Sequence, residues 1–229
     1  MPKPISLRPW ILGLLLVLAG CASSTALRVS SYPGTIRIAC VGDSITYGSG
    51  VEKREENNYP KVLNNLFGPK FEVSNFGVSG ATLLKHGDKP YWNEKAFLAA
   101  SNSKPDVVVI KLGTNDTKPQ NWKFGNEFTS DLETMIDTFR ALPSHPKIYL
   151  CIPVPVYATR YGITSSVLTR EIIPDIQKAA KAKHVPIIDL YAALNNHEEL
   201  FPDKIHPNAS GARLIAETVK AALTGNSTR

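Results

Sequence analysis

Ser44, Asp203 and His206 are the side chains whose types and order could carry a covalent reaction in this sequence. Ser44 closes the triplet Gly42-Asp43-Ser44, directly after an apolar run. A serine hydroxyl is a weak nucleophile until a base takes its proton, so the chain must supply that base from elsewhere. Near the C-terminus, "FPDKIHPNASGA" sets Asp203 three residues before His206. On one tight turn the two can meet. The carboxylate then holds the imidazole in one tautomer and supports its positive charge, which leaves the other ring nitrogen for a serine. Negative charge developing on a carbonyl oxygen also needs donors. The Ser44 N–H, the Gly80 N–H in "NFGVSGAT" and the Asn115 amide in "KLGTND" could form such an oxyanion hole. Each residue also has an ordinary use: Gly80 can permit a positive φ, Asn115-Asp116 can cap a turn, and Asp203 can open an Asx turn. Their common placement is what singles them out.

That placement follows from the elements around them. Apolar runs of strand length recur at 35–41, 71–76, 106–112, 147–154 and 185–190. Several are near-continuous rather than alternating, as strands covered on both faces of a parallel sheet require. Helical patterns lie between them. "NYPKVLNNLF" and the weaker "EKAFLAAS" come first, and residues 126–142 put Phe128, Leu132, Met135, Ile136 and Phe139 on one stripe. "LTREIIPDIQKAAKAK" is broken or started late by Pro174, and "NASGARLIAETVKAAL" turns Leu214, Ile215, Val219 and Leu223 inward. Alternation of this kind predicts an α/β fold, an open parallel sheet of five strands with helices on both faces. Ligands bind such sheets at the carboxyl ends of the strands. Ser44 follows the first strand, Gly80 the second and Asn115 the third, so all three should reach one rim.

With these residues quoted, the sequence resembles the SGNH (GDSL) hydrolase family. The matching blocks are Gly42-Asp43-Ser44, Ser79-Gly80, Gly113-Thr114-Asn115-Asp116 and Asp203-Lys204-Ile205-His206-Pro207, in the family's order over 35–223. The resemblance implies a three-layer, flavodoxin-like α/β/α fold and a serine esterase needing no cofactor or metal. It implies Ser44 as nucleophile, His206 as base and Asp203 as its orienter, with Ser44, Gly80 and Asn115 as oxyanion donors. Asp43 is outside that triad and is expected to tie the loop to backbone donors. The third block and the His-Pro-Asn ending are similar to the carbohydrate-esterase and acetylesterase branch. An acetylated glycan is therefore the expected substrate. The alternatives are a lysophospholipase or thioesterase for longer acyl chains, and an inactive glycan-binding lipoprotein. Trp122, Tyr157 and Tyr161, among polar residues after the third and fourth strands, are candidate sugar contacts; they can equally pack the loops.

The N-terminus stands apart from this domain. Lys3 and Arg8 precede the apolar "ILGLLLVLAG", a run of signal-peptide form that is short for a membrane span. Leu18-Ala19-Gly20-Cys21 resembles the lipobox of bacterial lipoproteins, which implies cleavage before Cys21 and lipidation of its thiol. The division expected is a signal peptide over 1–20, a tether over 21–34 and a hydrolase domain over 35–225. The location expected is an exported protein held by lipid to the outer membrane, since Ala22 follows the cysteine. Removing residues 1–20 takes Lys3 and Arg8 with it and lowers the formal charge from +6 to +4. The remaining cations are scattered, which argues against nucleic acid as a partner. Cys40 and Cys151 end apolar runs and read as buried free thiols in preference to a disulfide.

Overall fold

The computed structural model describes residues 26–225. The signal peptide and Cys21 expected from the sequence lie outside them. The strands are β1 (Ile36–Gly42), β2 (Phe71–Gly77), β3 (Val107–Lys111), β4 (Lys147–Ile152) and β5 (Ile187–Asp189). All pairings are parallel, in the order β2-β1-β3-β4-β5. β3 lies at the centre and is buried at every residue, as its unbroken Val-Val-Val-Ile run requires. β2 forms one edge and has no fully buried residue.

The longer helices are α1 (Tyr59–Phe67), α2 (Lys95–Asn102), α3 (Phe128–Arg140), α4 (Ile173–Lys183) and α5 (Ala209–Thr224). Leu63 of α1 and Ile215, Val219 and Leu223 of α5 pack with Ile38, Cys40 and Val109 on one face of the sheet. Leu214 is only partly buried there. Ala100 of α2, the stripe from Phe128 to Phe139 on α3, and Ile176 of α4 cover Ala39, Val41, Val108 and Ile110 on the other face. Each large apolar side chain so buried contributes about 1.5–3 kcal/mol. Asn58 starts α1 by accepting the Lys61 N–H at 3.0 Å, and Asn208 starts α5 by accepting the Gly211 N–H at 3.0 Å. Pro174 falls in the first turn of α4, where its fixed φ suits the helix. A π-helical turn, Leu168–Ile172, leads into it, so the helix is reshaped before the proline rather than broken by it.

From Ala26 onward the chain is docked rather than loose. Leu27 is buried and donates its N–H to the Leu223 carbonyl at 2.7 Å, and Lys70 Nζ holds the carbonyls of Tyr32 and Gly34 at 2.7 Å. The tether expected over 21–34 is thus bound to the domain over its C-terminal part. Among the described residues no helix is long and apolar enough to cross a membrane. Cys40 and Cys151 are both buried and free, and burial pushes the Cys40 thiol up to about 12.

The sheet order fixes where a ligand can enter. The chain leaves β1 for β2 on one side and then crosses to β3 on the other. The loops after β1 and β3 diverge there and leave a crevice at their carboxyl ends. Ser44 and Asn115 follow those two strands.

Candidate active site

The nucleophile turn is built by close packing at the end of β1. Asp43 caps a helical turn, Ser44–Tyr47, its Oδ1 accepting the Ile45 N–H at 2.9 Å. Only glycine fits before it. A Cβ on Gly42 would stand 2.1 Å from Thr46 Oγ1 and 2.7 Å from the Lys111 carbonyl oxygen. A Cβ on Gly77, at the end of β2, would stand 2.1 Å from the Tyr47 nitrogen. The turn carrying Ser44 is therefore pressed against the neighbouring strand end.

Asp203 and His206 complete a relay with it. His206 Nε2 lies 2.9 Å from Ser44 Oγ, and His206 Nδ1 lies 2.7 Å from Asp203 Oδ2. With the Nδ1 proton donated to the carboxylate, Nε2 is left as the acceptor facing the serine. Asp203 Oδ1 also accepts the backbone N–H groups of Ile205 (3.0 Å) and His206 (2.6 Å). Burial pushes the Asp203 carboxyl up, but its bonds from the His206 ring and these backbone donors outweigh that and hold it below the ordinary carboxylate range. Lys204 takes a left-handed φ of 70° between the two, which folds the segment back on itself. Tyr157 braces this loop, its N–H donating to the Lys204 carbonyl at 3.0 Å and its ring packing on Phe201 at 5.1 Å.

The expected oxyanion donors stand on turns that are tied to one another. Gly80 has φ +83°, a conformation that glycine adopts without strain. The N–H groups of Ser44 and Gly80 have no acceptor among the described residues. Asn115 is buried, and its Nδ2 donates one hydrogen to the Ala81 carbonyl at 3.1 Å, which leaves the other available. Two buried groups missed from the sequence join these turns. Asp116 accepts the N–H groups of Leu83 (3.0 Å) and Leu84 (2.8 Å), so the β3 exit grips the segment after Gly80. Burial outweighs those bonds and pushes its carboxyl up to about 7. Lys111, wholly buried, reaches Asp43 Oδ1 at 2.9 Å, Asp43 Oδ2 at 3.0 Å and Thr114 Oγ1 at 3.0 Å. Burial lowers the Lys111 ammonium from its ordinary range, while Asp43 opposes the fall. A readable signal existed: a lysine closing a strand buried on both faces demands a buried carboxylate.

The pattern of the GDSL-like lipase/acylhydrolase family matches residues 40–214. The chain belongs to that family. It is 46% identical to an acetylxylan esterase of Xylanibacter ruminicola, over 82% of this chain and 43% of that protein. It is 25% identical to a multidomain esterase of Ruminococcus flavefaciens, over 82% of this chain and 28% of that one. The chain thus spans less than half the length of the curated relatives it matches. A carbohydrate acetylesterase structure from Sinorhizobium meliloti shares the fold, with a TM-score of 0.67 at 18% identity, over 82% of this chain and 99% of that one.

Around the GDSL serine, the three aromatic candidates part company. The Tyr161 ring lies 6.3 Å from the His206 ring, is 58% exposed and carries the Arg160 guanidinium 4.9 Å from its centre. Tyr157 is engaged elsewhere: its hydroxyl donates to the Leu194 carbonyl and accepts the His197 N–H at 3.2 Å. Trp122 donates to Glu171 at 2.7 Å and packs against Phe128 and Gly125, so it holds its own loop together. Gln120 and Asn121 are likewise spent on Asp88. Of the expected sugar contacts, Tyr161 alone is placed beside the relay. A cleft of about 830 Å³ lies instead at the amino ends of β4 and β5, lined by Arg140, Lys147, Lys181 and His184, and it contains no part of the relay. Among the described residues no group of three or more His, Cys, Asp or Glu side chains could hold a metal ion.

Proposed function

We propose that this chain is a serine esterase that removes acetyl groups from carbohydrate hydroxyls. The observation that carries the reading is the continuous Asp203–His206–Ser44 relay, with contacts of 2.7 and 2.9 Å, beside the amide donors of the neighbouring turns. His206 Nε2 takes the Ser44 proton as Oγ bonds to the ester carbonyl carbon. The carbonyl oxygen gains negative charge, which the Ser44 N–H, the Gly80 N–H and the free Asn115 hydrogen stabilise. Collapse of this adduct breaks the bond to the sugar oxygen, and His206 returns its proton there. Water then attacks the acetyl-enzyme with His206 again as base. Acetate leaves, and Ser44 recovers its hydrogen. Asp203 stays charged throughout and keeps the imidazole aligned.

The acetyl and carbohydrate parts of the reading are supported by the acetylxylan esterase at 46% identity, and by an exposed rim of Tyr161 and Arg160 that suits a sugar better than a long chain. The test is a series of aryl esters from acetyl to palmitoyl, run beside acetylated xylan. Acetyl esters should turn over fastest and Ser44→Ala should abolish the reaction. A steady rise in kcat/KM with chain length would assign the site to long acyl groups. The chain is further proposed to be exported and lipid-anchored at Cys21 in the outer membrane, facing the periplasm or the cell surface, on the strength of Leu18-Ala19-Gly20-Cys21. Mass spectrometry of the mature N-terminus checks this, and Cys21→Ala should free active protein from membranes.

A further inference from the structure

Two cations flank the relay, and the reaction as described uses neither. Arg160 is exposed beside His206: its guanidinium sits 4.9 Å from the centre of the Tyr161 ring, and its Nη1 lies 3.5 Å from the Asp203 carbonyl oxygen. Lys89 is exposed at the other end. Its stem lies over Gly80, with Cδ 3.7 Å from where a Cβ would stand, and its Nζ donates to the Ser79 carbonyl at 2.9 Å. Neither has a carboxylate partner within ion-pair distance among the described residues. The nearby carboxylates are already engaged. Asp88 is held by Lys118, Gln120 and Asn121, Glu198 by Lys204, and Asp203 by His206. Arg160 and Lys89 thus stand at the rim over the serine with no ion-pair partner of their own among the described residues. An arginine held over an aromatic face presents its forked donors to a planar carboxylate.

We propose that the substrate is an acetylated acidic glycan, one bearing a uronate carboxylate near the acetylated sugar, with Arg160 as the residue that reads it. The inference rests on the esterase reading of the same site. It follows from the direction of the chemistry. His206 protonates the departing sugar oxygen, so the sugar must lie on the His206 side, where Tyr161 offers a ring to its C–H face and Arg160 a fork to its carboxylate. Lys89 stands on the acyl-oxygen side and adds to the field without touching the sugar. An exposed pair of this kind is worth about a two- to fivefold preference and weakens as salt screens it.

The experiment compares kcat/KM on acetylated xylooligosaccharides with and without a uronic acid branch, expressed as a ratio within each variant so that any general loss cancels. The wild-type ratio should exceed one and fall toward one at high salt. Arg160→Gln should lower it by about two- to fivefold, mainly through KM, and Arg160→Glu should invert the preference. Lys89→Gln should lower it less. A wild-type ratio of one or below, or a ratio untouched by Arg160→Gln, overturns the proposal. Calorimetry of the same oligosaccharides with Ser44→Ala separates the two readings. If no acetyl ester turns over, the esterase reading fails. Tighter binding of the acidic oligosaccharide that Arg160→Gln erases would still support the carboxylate site, and equal binding of both would reject it.

Discussion

Replacing Lys111 by methionine tests whether a buried charge holds the site in shape. The ammonium is wholly enclosed, bonded to both oxygens of Asp43 at 2.9 and 3.0 Å and to the Thr114 hydroxyl at 3.0 Å. Methionine keeps much of the chain length and removes the charge. Asp43 is then left in the interior with the Ile45 N–H as its remaining side-chain partner. Breaking one side of a buried pair costs about 3–5 kcal/mol. That is a large share of the roughly 5–15 kcal/mol that holds a domain together. For a chain of this size it corresponds to a Tm lower by about 6–20 °C. The assay is thermal and urea unfolding followed by near-UV circular dichroism, with kcat on an aryl acetate measured in parallel. The double variant Asp43→Asn/Lys111→Met removes both charges and keeps a good cap at position 43. It should recover most of the lost stability yet turn over slowly, because the turns bearing Ser44 and Asn115 are no longer joined. A single variant within about 1 kcal/mol of wild type would refute the reasoning, because measurement would then assign the pair almost no energy. So would a double variant as unstable as the single one.

Three further outcomes follow from the same geometry. Asn115→Ala should lower kcat by about a hundred- to thousandfold, equivalent to about 2.7–4 kcal/mol, with KM little changed; lost thermal stability at near-normal kcat would make Asn115 a turn residue only. Asp203 is held below the ordinary carboxylate range, so it stays charged above about pH 4 and adds no second proton to the acid limb of kcat/KM. Asp203→Asn should slow turnover less than Ser44→Ala, and a two-proton limb in the wild type would count against this assignment. Asp116 is pushed up to about 7, so its contribution to stability is full below about pH 4 and is lost as pH rises through about 7; Asp116→Asn should flatten the fall of Tm over that window, and a curve parallel to wild type would contradict it.

The strands and the relay were legible in the sequence because each depends on a local pattern. The apolar runs fell on the strands that form, from Ile36 to Asp189, since burial on both faces leaves no room for polar positions. Ser44, Asp203 and His206 were readable because a strand end and a tight turn are short-range features. What could not be read was pairing at long range. Lys111 and Asp43 are 68 residues apart, and nothing local says that one closes on the other. Trp122 and Tyr157 show the same limit. Their side-chain types suited a sugar, but Glu171 lies 49 residues from Trp122 and the Leu194 carbonyl 37 from Tyr157. Partners brought in by the fold decided what these rings do.

Those distant pairings bear directly on rate. An oxyanion site works by having its donors fixed before the charge arises, because reorientation during the reaction would consume the gain. Here Ser44 and Gly80 belong to different loops, and Asn115 to a third. Backbone geometry alone does not hold loops to a fraction of an ångström. The Lys111 bonds to Asp43 and Thr114 join the first loop to the third, and the Asp116 bonds to Leu83 and Leu84 join the third to the second. Both sit where water is excluded, so their hydrogen bonds are stronger than exposed ones and cost more to break. The six residues that form these ties touch no substrate in the proposed reaction. They set the positions of the three that do, which is why their loss should be read in kcat as well as in stability.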